Sequence, residues 1–226
     1  MNVLIFGATG MVGQGVLREC LIDPDVERVV CVGRTSTGQQ HPKLRELIRS
    51  DPSDLSALES ELAGLDTCFF CLGVSAAGMS EERYTSLTYD LTMRVAESLA
   101  RSAPGMTFLY VSGMGTDSSE RGRAMWARVK GRTENALLRL PFKRAYMIRP
   151  GFIVPMHGIT SRTALYRITY RILGPFFPLM RRFLPGAVTT TETLGRAMIT
   201  VGKTGYAAKV LETRDINAVV KGRGVD

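Results

Sequence analysis

The sequence predicts one α/β domain in which helices cover both faces of a mostly parallel, doubly wound sheet. Short apolar runs alternate with amphipathic stretches along the 226 residues. These runs are apolar on both faces, which is typical of strands buried in a parallel sheet. Repeated β–α units of this kind form an open doubly wound sheet. Prolines interrupt the pattern after Arg149, so we expect a small C-terminal helical and loop extension, with residues 150–190 as a substrate-side lid.

The individual elements follow in order along the chain. We expect strands at Val3–Phe6, Arg28–Val32, Thr67–Leu72, Met106–Ser112 and Ala145–Ile148. We expect helices at Gly10–Ile22, from about Ser80 to Arg101, and through Val129, Ala136 and Leu138. No internal repeat or low-complexity linker divides the chain, so residues 1–226 are expected to form a single domain.

The composition excludes a disordered chain and favours anionic ligands. Hydrophobic residues make up 45% of the chain and charged residues 22%, which is enough to build a core. The net charge is +8, and Glu134 is the only acidic residue from Arg121 to Arg182. Such a basic face attracts phosphates, nucleotides, nucleic acid or acidic lipid. No segment resembles a nucleic-acid-binding module, so we expect no nucleic-acid partner.

A second basic feature lies inside the expected lid. Arginines alternate with aromatic and aliphatic residues from Arg162 to Arg182. We interpret this stretch as part of the lid, with its apolar face packed on the domain. A surface helix that makes peripheral membrane contact is the alternative.

The cysteines and the N-terminus bear on location and metal binding. Cys68 and Cys71 form a C-x-x-C pattern inside an expected strand, where residues three apart point to opposite faces. We therefore expect core thiols and no metal site. The first strand begins at Val3, which leaves no room for a cleaved leader, and no apolar stretch reaches the ~18 residues of a membrane span. These features predict a soluble, cytoplasmic protein with reduced cysteines.

A glycine-rich loop joins the first strand to the first helix. Gly7 permits a tight turn, Gly10 lets a pyrophosphate approach the backbone, and Gly13 lets the helix pack close to the strand. The helix N-terminus then offers free N–H groups to phosphate oxygens. The spacing is G-x-x-G-x-x-G and not the more usual G-x-G-x-x-G. The predicted dinucleotide-binding loop consists of Gly7, Thr9, Gly10, Met11, Val12 and Gly13.

The residue after the second strand predicts which dinucleotide binds. Sites that prefer NAD carry an acidic residue here, which accepts a hydrogen bond from the ribose 2′-hydroxyl. This chain has Arg34, followed by the hydroxyls of Thr35 and Ser36. A cation at this place accommodates a 2′-phosphate, so we expect NADP(H) as the cofactor. A solvated surface arginine is the alternative interpretation of Arg34.

These motifs together resemble the short-chain dehydrogenases/reductases of the extended to atypical kind. More narrowly, the chain is similar to proteins labelled nucleoside-diphosphate-sugar epimerase-like, related to the Tat-interacting-protein oxidoreductase branch. The resemblance is carried by Gly7–Gly13, Gly33-Arg34, Phe70–Gly73, Tyr110–Ser112, Val129–Gly131 and Arg149–Gly151. It implies a Rossmann fold with Asp51 beside the adenine. It also implies that Leu72 and Gly73 line the cofactor, and that Arg149–Gly151 closes over the nicotinamide side.

The active site departs from the family that the chain resembles. Catalytic members carry Tyr-x-x-x-Lys, in which the tyrosine exchanges a proton with substrate and the lysine holds the nicotinamide ribose. Here the spacing is kept, but Trp126 replaces the tyrosine in front of Lys130. An indole does not give up its proton near neutral pH, so Trp126 is expected only to line the pocket. Ser112 is the candidate polarising hydroxyl, although the family position falls equally well on Gly113.

No other side chain in the sequence replaces the tyrosine convincingly. Tyr84, Tyr89 and Tyr110 fit packing roles better than acid–base roles, and His41 and His157 fit loops. The leading hypothesis is an NADP(H)-dependent oxidoreductase for an unidentified small molecule. The rival is a catalytically silent NADP(H)-binding sensor or scaffold. A third hypothesis, an epimerase of sugar nucleotides, suffers most from the missing tyrosine.

Overall fold

The structure, a computed structural model, describes residues 1–55, 59–159 and 186–222. The strands are β1 (Asn2–Phe6), β2 (Arg28–Gly33), β3 (Leu44–Ile48), β4 (Thr67–Phe70), β5 (Thr107–Val111), β6 (Arg144–Arg149), β7 (Phe152–Val154), β8 (Val188–Thr190) and β9 (Val210–Glu212). The helices are α1 (Met11–Ile22), α2 (Glu59–Leu62), α3 (Glu81–Thr85), α4 (Leu91–Ser102), α5 (Met125–Leu137), α6 (Thr191–Thr204) and α7 (Thr213–Val220), and a π-helical turn (Ser86–Asp90) joins α3 to α4.

The main sheet has seven strands in the order β3-β2-β1-β4-β5-β6-β9, and every pair is parallel. Helices cover both faces, so the predicted fold class is confirmed. Side chains of β1 alternate between two cores: Val3 and Ile5 pack with α1, α6 and α7, whereas Leu4 and Phe6 pack with α2, α4 and α5. The strand order reverses between β1 and β4, which opens a crevice at their carboxyl ends.

The C-terminal part is more than the helical and loop extension that the sequence predicts, because it also adds a strand to the main sheet. β9 pairs with β6 in parallel, with Ile148 opposite Leu211. A separate two-stranded sheet pairs β7 with β8. Residues 150–159 and 186–190 of the expected lid are described, whereas the basic and aromatic stretch from Arg162 to Arg182 lies outside the described residues. The lid and its membrane contact therefore stay predictions.

The expected helix from Ser80 to Arg101 is interrupted. Ser80 caps α3 by accepting a hydrogen bond from the backbone N–H of Arg83, and the π-helical turn follows. The turn widens the helix and rotates the faces on either side of it. Val95 and Leu99 are fully buried as their four-residue spacing predicts, but Leu87, inside the turn, is exposed.

The cysteine and membrane features follow from this packing. Cys68 lies in the core formed with α4 and α5, whereas Cys71 packs against the opposite core, so the expected alternation of faces is confirmed. All four cysteines are free thiols. Within the described ranges, no helix is both long enough and apolar enough to span a bilayer.

Candidate cofactor and active site

The glycine-rich loop is shaped by three close backbone approaches. Gly7 has φ +80°, and a Cβ there would lie 2.7 Å from the carbonyl carbon of Cys71. A Cβ at Gly13 would lie 2.0 Å from the carbonyl oxygen of Gly7. The backbone N–H of Gly10 donates to that same oxygen at 2.9 Å. Side chains larger than hydrogen are therefore excluded at Gly7 and Gly13, which keeps the loop tight against the sheet.

The N-terminus of α1 is open to an anion. Gly10 is the N-cap residue and has no side chain to accept from the first-turn N–H groups, and no acidic residue lies in that turn. Met11 and Val12 are partly buried and pack toward the core. Thr9 is held from behind, because its carbonyl accepts a hydrogen bond from Gln14 Nε2 at 3.1 Å. Unpaired N–H groups and the helix dipole make this end suited to a pyrophosphate.

A pocket of about 300 Å³ connects this loop to the end of β2. Its size is at the lower end of the range for small-molecule sites. Its walls are Gly7, Ala8, Thr9, Cys31, Val32, Gly33, Arg34, Thr35, Thr37, Glu46, Ile48, Pro52 and Leu72. The structure thus brings the phosphate loop, the residue expected to read the 2′-position and Leu72 to one cavity.

Arg34 lies in this pocket without a partner from the described part of the chain. Its guanidinium forms neither a hydrogen bond nor an ion pair there, and the residue is exposed. The next residues form a turn that ends at Gly38, which has φ +74°. An unpaired guanidinium beside the glycine-rich loop is suited to binding a phosphate group.

Glu46, on the edge strand β3, is a pocket residue that the sequence did not reveal. Its Oε2 accepts from Ser36 Oγ at 2.6 Å, and its Oε1 accepts from the Thr37 N–H at 2.7 Å. Partial burial alone would raise the pKa of the Glu46 carboxyl, but these hydrogen bonds outweigh it and lower the pKa. The carboxylate is therefore ionised and holds the turn after β2.

Two further residues were expected beside the cofactor, Asp51 at the adenine and Gly73 next to Leu72. Asp51 is exposed, and its Oδ1 accepts from Ser53 N at 2.9 Å and from Ser53 Oγ at 2.7 Å. Those bonds from Ser53 lower the pKa of the Asp51 carboxyl. Its neighbour Pro52 lines the pocket, and Asp51 itself does not. Gly73 follows Leu72 with open space around its Cα.

Lys130 and Ser112 meet at the carboxyl end of β5. α5 directs Lys130 Nζ onto the backbone carbonyl of Ser112, to which it donates a hydrogen bond. A Cβ at Gly113 would lie 3.9 Å from the same Nζ. Burial lowers the pKa of Lys130 to about 8, although the nearby Glu134 carboxylate acts in the opposite direction. A lysine with this pKa can release or hold a proton near neutral pH.

The Ser112 hydroxyl differs from its expected role. It is buried, and it donates to Glu134 Oε1 at 2.5 Å, with Ile148 O as a second acceptor at 3.3 Å. A hydroxyl must donate to a carbonyl oxygen to polarise it, and this proton is already committed to a carboxylate. Ser112 therefore positions Lys130 through its backbone carbonyl in this structure.

Glu134 is the centre of a buried polar network that includes Arg149. Arg149 Nε lies 3.0 Å from Glu134 Oε1, and its Nη2 donates to Glu134 Oε2 as well. The same guanidinium reaches Ser118 Oγ at 2.5 Å and Glu212 Oε1 at 3.3 Å. The Glu134 hydrogen bond is the main cause that raises the pKa of Arg149. The network ties α5 to β6, to β9 and to the loop after β5.

Trp126 lies one helical turn before Lys130, as its spacing predicts. Gly115 has φ +84°, and a Cβ there would lie 3.3 Å from Cη2 of the indole. Trp126 therefore packs against the loop that follows β5. This places a flat apolar ring where the family carries a phenol, with no group that exchanges a proton.

The other side chains considered as acid–base groups are engaged in packing or in hydrogen bonds with the chain. Tyr84 and Tyr110 are almost fully buried, and burial raises the pKa of the Tyr110 phenol far above its usual value. Arg132 stacks over the Tyr89 ring at 4.2 Å. His41 Nδ1 accepts from the Lys43 N–H. In the described ranges, no three His, Cys, Asp or Glu side chains are grouped for a metal ion.

The remaining histidine bridges two parts of the C-terminal region. His157 has φ +57°, and its Nε2 lies 2.9 Å from Glu192 Oε2 in the first turn of α6. Hydrogen bonding from His157 is the main cause that lowers the pKa of Glu192. His157 thus holds the loop after β7 on α6.

Comparison with known proteins identifies the class to which this fold and site belong. The NAD dependent epimerase/dehydratase family matches residues 3–120, just over half of the chain. The protein named "fmp52, mitochondrial" from Emericella nidulans is 30% identical over 209 residues, covering 89% of this chain and 87% of that protein. The corresponding protein from Eremothecium gossypii is 31% identical over 232 residues, covering 98% of both. The chain therefore belongs to the NAD dependent epimerase/dehydratase family.

Solved structures agree with this fold. The Bordetella bronchiseptica enzyme WbmH in complex with NAD⁺ superposes with a TM-score of 0.63 at 15% identity, covering 97% of this chain and 80% of that one. A dTDP-glucose 4,6-dehydratase from Streptomyces venezuelae with NAD bound gives 0.65 at 17% identity, covering 98% and 80%. A short chain dehydrogenase/reductase from Saccharomyces cerevisiae gives 0.65 at 13% identity, covering 97% and 98%. The NAD(P)-binding Rossmann fold predicted from the motifs is confirmed.

The same comparison corrects the expected location. We expected a cytoplasmic protein, but the fungal relatives that match across most of the chain are named as mitochondrial. The features that led to the expectation do not distinguish the cytoplasm from other compartments. Buried free thiols are compatible with any compartment that keeps cysteines reduced, and strand β1 does not define where the protein resides.

Proposed function

We propose that the protein binds NADP(H) and acts as an oxidoreductase on a small molecule. The observation that carries this proposal is the pocket in which the phosphate loop and the unpartnered Arg34 face one cavity. Structural neighbours in the same fold are described as complexes with NAD. The uncapped N-terminus of α1 would receive the pyrophosphate, and the turn after β2 would receive the adenosine ribose.

The preference for the 2′-phosphorylated cofactor rests on charge at the end of β2. Arg34 supplies a cation where NAD-preferring sites have a carboxylate. Glu46 is the acidic residue that lines the pocket, but both of its oxygens accept hydrogen bonds from Ser36 and Thr37. Its carboxylate is thus engaged by the chain, and this favours Arg34 as the group that reads the ribose.

Lys130 is the proposed proton-exchanging residue of the reaction. Its ammonium lies beside Gly113 at the end of β5, and its pKa of about 8 lets it donate a proton to a substrate oxygen near neutral pH. Bound NADP(H) would supply or accept the hydride. Trp126 would cover one side of the substrate, and Ser112 would orient Lys130 through its carbonyl.

Cofactor titration tests this function directly. We expect NADPH, followed by its fluorescence, to bind at least tenfold more tightly than NADH. Arg34→Ala should weaken NADPH by about tenfold to a hundredfold and leave NADH within twofold, because a charge-assisted phosphate contact is lost. Arg101→Ala, an exposed arginine on α4, is the matched control. Equal affinity for the two cofactors, or no binding of either, contradicts the proposal.

A catalytically silent NADP(H)-binding sensor is the second candidate, and two observations favour it. Trp126 replaces the phenol, and the Ser112 proton is committed to Glu134. A single-turnover assay with NADPH and a panel of aldehydes and ketones separates the two candidates. Oxidation of NADPH that Lys130→Met abolishes supports the enzyme. Tight binding with no hydride transfer to any carbonyl supports the sensor.

A further inference from the structure

The turn from Arg34 to Gly38 has one anchor on the neighbouring strand. Glu46 projects from β3, and its two oxygens receive the Ser36 hydroxyl and the Thr37 N–H. Ser36 Oγ in turn accepts from the Gly38 N–H at 3.0 Å. One bidentate carboxylate therefore orders a surface turn whose other hydrogen bonds are local.

That turn carries the residue on which cofactor choice depends. Arg34 and Thr35 line the pocket from the turn, and the pairing of β2 with β3 ends at Gly33 and Ile48. Beyond Gly33 no ladder hydrogen bonds fix the direction of the chain. The place of the Arg34 guanidinium within the pocket is thus set by the turn, and the turn is set by Glu46.

We propose that Glu46 is a specificity-determining positioning residue, which holds the Arg34–Gly38 turn in the shape that recognises a 2′-phosphate. The proposal rests on the proposed binding of NADP(H) and assigns the selectivity of that site to a second residue. Glu46 acts through Arg34 and does not itself bind the phosphate.

Because Glu46 is negatively charged, the direction in which its substitution changes NADPH affinity tests the proposal. A carboxylate in the pocket repels a phosphate, so simple removal of charge would tighten NADPH binding. Loss of the anchor would weaken it. Glu46→Asp separates the two effects, because it keeps the charge but is one methylene too short to reach both donors. Glu46→Gln keeps the length and loses the charge.

The experiment measures the affinity of NADPH, NADH, 2′,5′-ADP and 5′-ADP for the full chain. We expect Glu46→Asp to weaken NADPH and 2′,5′-ADP by about tenfold, comparable to the loss of a hydrogen bond to a charged group. NADH and 5′-ADP should change by less than twofold. Glu46→Gln should fall between Glu46→Asp and the unmodified chain. Glu97→Asp, an exposed glutamate on α4, is the matched control.

A double-mutant cycle with Arg34→Ala tests whether Glu46 acts on NADPH affinity through Arg34. If Glu46 works through Arg34, Glu46→Asp should cause no further loss of NADPH affinity in the Arg34→Ala chain. Additive losses, tighter NADPH binding by Glu46→Asp, or equal losses for NADH and NADPH each overturn the inference. Thermal unfolding of each variant shows that it is folded. If NADPH selectivity depends on Arg34 but not on Glu46, only this inference fails, and the proposed function stands.

Discussion

The nucleotide-side half around Gly7 and the β5–α5 half around Lys130 are stabilised by different interactions. The first depends on close backbone contact, since Gly7 and Gly13 lack the room for a Cβ. The second depends on a buried network of charges, in which Glu134 and Arg149 share three hydrogen bonds. A shape-based site tolerates no added atoms, whereas a charge-based site tolerates no missing partner.

Loss of the Glu134 carboxylate should have the largest effect on stability. Glu134→Ala leaves the buried Arg149 without its main counter-charge, and we expect a cost of about 3–5 kcal/mol in the free energy of unfolding. Urea denaturation followed by circular dichroism measures it. Glu81→Gln, which removes an exposed partner of Arg128, is the control for charge loss alone. A cost below 1 kcal/mol for Glu134→Ala would mean that the network does not stabilise this half.

An added methyl group should have the next largest effect, this time on the nucleotide side. Gly13→Ala places a Cβ 2.0 Å from the Gly7 carbonyl oxygen, so the loop must move. We expect about 2–3 kcal/mol of destabilisation and loss of detectable NADPH binding. At Gly10 the nearest atom to a Cβ is 3.4 Å away, so Gly10→Ala should fold within about 1 kcal/mol of the unmodified chain. Equal stability of the two variants would contradict the backbone-contact argument.

The pH dependence sharpens the comparison because Lys130 and the buried cysteines change the free energy of unfolding in opposite directions as the pH rises. Lys130 has a pKa lowered to about 8, so the unfolded chain binds more protons between about pH 8 and pH 10.5. Lys130 therefore makes the folded state more stable as the pH rises through this window. The buried thiols have raised pKa values, including about 12 for Cys31, so they make it less stable as the pH rises.

The contribution of Lys130 is isolated by subtraction. The free energy of unfolding of the unmodified chain minus that of Lys130→Met should rise by about 1–2 kcal/mol from pH 7.5 to pH 10, since the half-buried ammonium is partly screened. Chemical denaturation at five pH values in that range gives this difference. A flat difference would show that the pKa of Lys130 is not shifted in the folded protein.

The smallest effect is expected for the exposed pair between α3 and α5. Arg128 Nη2 lies 2.5 Å from Glu81 Oε2, and half of the Glu81 side chain is exposed. Glu81→Gln should cost no more than about 0.5–1 kcal/mol, and the cost should vanish in 1 M salt. A larger, salt-independent cost would place Glu81 with the buried network and weaken the distinction between exposed and buried charges.

The sequence predicted the parts of the fold that depend on local pattern. Strands β1, β2, β4, β5 and β6 are apolar on both faces, and each was predicted within about two residues at its ends. β3, an edge strand, was missed because the adjacent charged residues Arg45 and Glu46 interrupt its apolar pattern. β9 was missed because three residues carry too little pattern. The π-helical turn at Leu87 leaves no periodic signature that distinguishes it from the helix around it.

The candidate site divides in the same way. The positions of the glycine loop and Arg34 were predictable because each directly follows a strand. The partnership of Glu134 and Arg149 was not, because it is formed across 15 residues by the packing of α5 on β6. Its one sequence signal was that Glu134 stands alone among basic residues. Glu46 gave no signal, since its role depends on the turn of a neighbouring strand.

The packing of α6 against α1 has a consequence for how the molecule is made. Gly15 lies close to Thr191, and Glu19 Oε2 accepts a hydrogen bond at 3.1 Å from Nε of Arg196, which comes 177 residues later in the chain. The loop that would hold the dinucleotide is thus synthesised long before the helix that supports its back. On the ribosome this loop would lack that support until α6 has emerged, so capture of the cofactor would wait for the synthesis of α6.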